Sequence, residues 1–129
     1  RSLVEEIGLL DNRFNPYGHE DVDYSIRAMK QGYKNYCMTK SFLLHGTDLR
    51  HADRVIDQQS INRRNMNIAR VETILLSKHL GDDFERSVKG RIASQFMLDI
   101  HRKKSAVENM IYRLKGFELG KKQIPETGN

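Results

Sequence analysis

His19, Glu20, Asp21 and Asp23 stand within five residues of one another, in the stretch Tyr17-Gly18-His19-Glu20-Asp21-Val22-Asp23-Tyr24-Ser25-Ile26-Arg27. Carboxylates repel, so a chain that gathers three of them needs a compensating partner. A metal ion, a proton to be removed, or the positive end of a helix would each serve. The helix reading needs nothing else, because acids in a first turn are favoured by the dipole and the free N–H groups. A metal held by these residues alone is disfavoured, since Asp21 and Asp23 are two apart and point to different sides of a helix. An EF-hand loop starting at Asp11 fails too. Arg13 falls at its third position, and Val22 replaces the closing glutamate.

The elements that would position the cluster follow from local signals. Ser2, with Glu5 three residues on, has the form of a capping box for a short helix over residues 3–7, ended by Gly8. Residues 9–14 read as a brief extended piece and Asn15-Pro16-Tyr17-Gly18 as a turn. A helix is predicted over residues 20–31, with Val22, Ile26 and Met29 on one stripe and Gly32 as its stop. Residues 33–38 and 41–45, rich in aromatic and apolar side chains, are two strand candidates. Residues 52–80 contain no proline and carry apolar residues throughout, which predicts one long helix or two shorter ones. A turn at 81–83, a helix over 84–103 and another from 105 to 114 or beyond follow. Residues 116–129 hold Gly, Pro and Lys and read as a frayed tail.

Composition narrows the classes. The 129 residues are 38% hydrophobic and 30% charged, lean for a domain with its own core. No stretch approaches the ~18 apolar residues of a membrane span. Cys37 has no partner cysteine, which fits a reducing, cytoplasmic compartment and a buried small hydrophobe. Residues 1–51 hold seven Lys/Arg and seven Asp/Glu, so the net charge of +5 belongs to the second part. The chain opens on Arg1 with helical pattern already under way, and reads as a piece of a longer protein.

One ordered set of features goes beyond local pattern. Ile7-Gly8-Leu9-Leu10-Asp11, Arg13-Phe14, Tyr17-Gly18, Glu20-Asp21-Val22-Asp23-Tyr24, Arg27, Gly32-Tyr33 and His45 occur in this order. The set resembles the later part of the catalytic domain of family 2 glycosyltransferases, over about 40 residues. The resemblance implies an α/β chain: residues 1–51 as the acceptor-side, Rossmann-like part of a GT-A domain, 52–118 as a helical extension and 119–129 as a flexible tail. It also implies transfer of a sugar from a nucleotide-diphosphate sugar to a carbohydrate, lipid-linked or protein acceptor, with inversion. In that scheme Asp21 is the general base and Glu20 orients it or binds the acceptor. His19 and Arg27 face substrate, and His45 joins an Mn²⁺ or Mg²⁺ site. Asp23 would cap the helix or pair with Arg27, at ion-pair spacing. The donor-side Asp-x-Asp motif has no counterpart, because Asp21-Val22-Asp23 belongs to the Glu-Asp motif. That half of a site would have to come from elsewhere, and the chain alone is expected to be inactive.

Three other readings stand beside it. A helical interaction module could retain a degenerate transferase core. The basic run His101-Arg102-Lys103-Lys104 and the pair Lys121-Lys122 are either solvated faces or a peripheral contact with anionic lipid or a phosphate-bearing acceptor. A nucleic-acid-binding module is disfavoured, because acids interleave with the bases and no reading motif occurs. Unpaired strand edges at 33–38 and 41–45 would promote self-association. His51, His79 and His101 read as surface residues.

Overall fold

The computed structural model describes residues 2–40 and 57–125. Helix α1 spans Leu3–Ile7, with the predicted capping box in place. The Ser2 hydroxyl accepts from the Glu5 N–H, and the Glu5 carboxylate accepts from the Ser2 N–H at 2.9 Å. A 3₁₀ turn over Asn12–Phe14 replaces the extended piece expected there, because the Asp11 carboxylate caps the Arg13 N–H. Helix α2 spans Glu20–Lys30. Helix α3, Gln58–Leu80, begins at Asp57, whose carboxylate accepts from the Ser60 N–H at 2.8 Å. A 3₁₀ turn over Gly81–Asp83 leads into α4, Phe84–His101, and α5 follows as Ala106–Lys122.

Every regular element among the described residues is therefore helical, and the α/β, Rossmann-like architecture is overturned. Residues 33–38 run without helix or strand and are exposed along their length. Their aromatic and apolar side chains suit a pleated surface, but strand preference is realised only against a neighbouring strand. No described segment supplies one. The second strand candidate, 41–45, lies outside the described residues. Cys37, expected inside, is exposed on this same segment.

The bundle is organised around α3. Helix α5 lies closely along it and α4 packs against both. Two glycines permit the close approach. A methyl group on Gly116 would stand 2.1 Å from the Met66 carbonyl oxygen, and one on Gly120 would stand 2.7 Å from the Arg70 carbonyl oxygen. The residues read as the start of a tail thus form a close contact with α3, and α5 runs on to Lys122 with Gly116, Phe117 and Gly120 buried.

Apolar burial is modest and split. Val88, Ile92 and Phe117 join Leu76, Phe84 and Met110 where α3, α4 and α5 meet. Phe14, Val71, Ile74 and Leu75, with Ile26, fasten the N-terminal arm to α3. Phe14 is 1% exposed, and its burial stabilises the arm by about 1.5–3 kcal/mol. The Val22–Ile26–Met29 stripe is not the packed face of α2. Val22 and Met29 are exposed, and the buried residues are Asp23 and Ala28.

Polar groups complete the bundle at its other end. Asp99 of α4, 2% exposed, accepts from the Arg113 guanidinium at 2.7 Å and the Asn109 amide at 3.2 Å. Asn65 and Gln58 of α3 reach the Asn109 amide oxygen, and Asn62 bonds Glu108. No buried side-chain nitrogen or oxygen among the described residues lacks a partner, as a polar core requires.

Candidate functional site

The acidic cluster is held in place by the loop before it. Arg70 of α3 donates to the carbonyls of Arg13 and Asn15, and the Asn67 amide donates to the Tyr17 carbonyl at 2.8 Å. Gly18, at φ 110°, lies against Val71, where an added Cβ would come within 3.3 Å of Cγ2. Its N–H donates to the Glu20 carboxylate at 2.7 Å. His19 then takes a left-handed turn at φ 64° and its carbonyl accepts the first helical bond, from the Asp23 N–H. The first turn of α2 is thereby anchored from both sides.

Within that turn the carboxylates have different surroundings. Glu20 is half-buried and engaged by the loop backbone. Asp21 is exposed, and among the described residues it accepts from the N–H of the adjacent Val22, at 2.8 Å. Asp23 is fully buried. Arg27 donates to it at 2.9 Å, Lys78 at 2.9–3.0 Å and the His79 Nε2 at 2.8 Å. Lys78 also reaches Asp11 at 3.1 Å, which is gripped by Arg13. Burial pushes the Asp23 carboxyl up, but the hydrogen bonds from Lys78, His79 and Arg27 outweigh it and hold the group below its usual range. Asp11 is also held low, chiefly by its Arg13 hydrogen bond.

The ion pair between Asp23 and Arg27 has formed at its helical spacing. The rest of the Arg27 guanidinium donates to the carbonyls of Ile7 and Leu9, so this side chain ties α1 to α2. His79, read from sequence as a surface residue, is only 9% exposed at its side chain and bridges Asp23 to Lys30. Lys30 can only donate to Nδ1, at 3.1 Å, so the ring proton sits on Nε2 and points at Asp23. No local sequence signal marks this contact, which joins residues 56 apart. His101 is exposed. His45 and His51 lie outside the described residues.

The Mn²⁺ or Mg²⁺ implied by the resemblance would need several oxygen ligands converging on one point. Among the described residues no group of three or more His, Cys, Asp or Glu side chains could hold an ion. Asp11 and Asp23 come together only through a shared lysine. The described residues do not fit a divalent metal. Likewise, no described helix is long and apolar enough to cross a membrane. Comparison with models of protein families, with characterised proteins and with solved structures found no match.

Proposed function

We propose that this chain contributes the acceptor-side residues of a nucleotide-sugar-dependent glycosyltransferase, with Asp21 as the general base. The observation that carries the proposal is the division of labour between two carboxylates in one turn. Asp23 is enclosed by three cationic or N–H donors and fixes α2 to α3. Asp21 is exposed beside it. An acceptor hydroxyl becomes acidic only as its bond to the sugar forms, so a carboxylate of ordinary strength is an adequate base when it is correctly placed. Glu20, which accepts from the Gly18 N–H, ties the preceding loop to the first turn of α2, which carries Asp21. His19 is half-buried beside it and lines the acceptor side. Arg27, engaged with Asp23 and two backbone carbonyls, is a positioning residue. The donor nucleotide and its counter-charge come from residues other than these.

The test is sugar transfer by the complete encoded polypeptide, comparing Asp21→Asn with Asp23→Asn. Asp21→Asn is nearly isosteric and alters no tertiary hydrogen bond among the described residues. It should lower turnover by at least ~100-fold, the low end for general acid–base catalysis, with the unfolding midpoint preserved. Asp23→Asn should instead lower stability, because Lys78 and Arg27 lose their buried counter-charge. Turnover by Asp21→Asn within tenfold of wild type would remove it from the base role.

A second reading, a non-catalytic helical interaction module, is favoured by one observation. The described regular structure is a helical bundle with its own polar core, and no described sheet supports a nucleotide site. A folded wild-type polypeptide that transfers no sugar would select it.

A further inference from the structure

We infer that Lys78 and His79 of α3 are positioning residues for Asp21, so that the helical bundle completes the proposed acceptor site. The inference rests on the sugar-transfer proposal and extends it to α3, outside the stretch that resembles a transferase. Asp21 and Asp23 share the first turn of α2, so whatever fixes Asp23 also fixes where the Asp21 side chain leaves the backbone. Both oxygens of Asp23 are engaged. Arg27 donates to Oδ2 at 2.9 Å, His79 donates to Oδ1 at 2.8 Å, and the Lys78 ammonium lies 2.9–3.0 Å from both. A carboxylate held at both oxygens cannot turn freely, and Lys78 and His79 hold it from α3.

Charge balance does not require Lys78. Arg13 pairs with Asp11 and Arg27 with Asp23, a cation for each carboxylate. Lys78 is a further cation, with only 26% of its side chain exposed. Taking an ammonium partly out of water is costly, and what it adds is a link that neither arginine makes. It spans Asp11, at 3.1 Å, and Asp23, one on each side of the loop that leads into α2. His79 adds direction. Lys30 donates to its Nδ1, which leaves the Nε2–H aimed at Asp23.

Apolar packing cannot replace this clasp. Ile26 of α2 packs against the cluster of Phe14, Val71, Ile74 and Leu75. Hydrophobic contact is non-directional, so it resists separation of the helices more than a roll of α2 about its own axis. The bonds to Asp23 have direction and oppose the roll. A shift of about 1 Å in a reacting group can cost about 100-fold in rate, so a small roll of this turn would suffice to idle Asp21.

In the complete encoded polypeptide, Lys78→Met should lower kcat by about 10–100-fold, with the KM for the nucleotide-sugar donor within about twofold. Far-UV circular dichroism should be unchanged. His79→Leu should act in the same direction, and His79→Gln, which keeps an N–H donor, should recover most of the loss. The deciding measurement is Asp21→Asn combined with Lys78→Met. A residue that acts through Asp21 has nothing left to position once the base is gone. The double variant should therefore match Asp21→Asn within about threefold. Amide hydrogen exchange over residues 20–24, measured without substrate, should rise at least ~10-fold in Lys78→Met. Losses that multiply in the double variant, or exchange that Lys78→Met leaves unchanged, would overturn the positioning role and leave the transferase proposal standing. A His79→Gln variant that behaves like His79→Leu would remove His79 from the role. A folded wild type that transfers no sugar would overturn both proposals.

Discussion

Gly116→Ala tests whether α3 and α5 pack as closely as described. The added methyl would lie 2.1 Å from the Met66 carbonyl oxygen, 2.9 Å from its carbon and 3.0 Å from the Ala69 Cβ. An ordinary carbon–oxygen contact is about 3.3 Å, so the helices must part by roughly 1 Å. Two of the obstructing atoms are backbone, and no rotamer change relieves them. Overpacking of this kind costs about 1–3 kcal/mol. The Asn65 contacts to Asn109 and Arg113 span the same two helices and would lengthen with them. Against this, alanine is the better helix former by about 0.8–1.0 kcal/mol. A net loss of about 1–3 kcal/mol is expected once the strained contacts are included. Gly90→Ala supplies the control of opposite sign. Nothing lies within 4 Å of its added methyl, so only the helix preference acts and stability should rise by up to ~1 kcal/mol. Urea unfolding followed by circular dichroism measures both. Equal midpoints for Gly116→Ala and Gly90→Ala would refute the close crossing of α3 and α5.

Two further outcomes follow from the buried carboxylates. Asp99→Asn leaves the Arg113 guanidinium buried without its counter-charge and should cost about 3–5 kcal/mol in the same urea experiment; a change below 1 kcal/mol would place Asp99 in water. Asp99 is pushed up by burial but held low by its bonds from Arg113, Asn109 and Gln95, and Asp23 is likewise lowered on balance. A carboxyl lowered in the folded state contributes stability that is complete above its unfolded value of about 4 and is lost as pH falls through the folded one. Unfolding midpoints should therefore be flat from neutral pH to about 5 and fall steeply below 4, and Asp99→Asn should flatten part of that fall.

Elements that need only their own residues were legible in the sequence. The Ser2–Glu5 capping box joins side chains to backbone groups three positions away, and the end of α1 at Gly8 is a local backbone turn whose N–H returns to the Val4 carbonyl. The Asp23–Arg27 pair is of the same kind. The expectation of a sugar transferase rests on linear order alone, which says nothing of what surrounds Asp21. Tertiary structure decided what depends on a neighbour. Residues 33–38 have strand-like composition but no described strand beside them, so they stay irregular and leave Cys37 exposed. Gly116 and Gly120 look like helix breakers, because the intrinsic preference counts only the lost side chain. Against the α3 backbone that missing side chain is what lets α5 form its contact and extend to Lys122. Val22 and Met29 have helical spacing, yet α2 turns Asp23 inward because Lys78 and His79 wait on α3. Charge pairing across more than fifty residues outweighed the apolar stripe, and no window of local sequence contains both halves of such a pair.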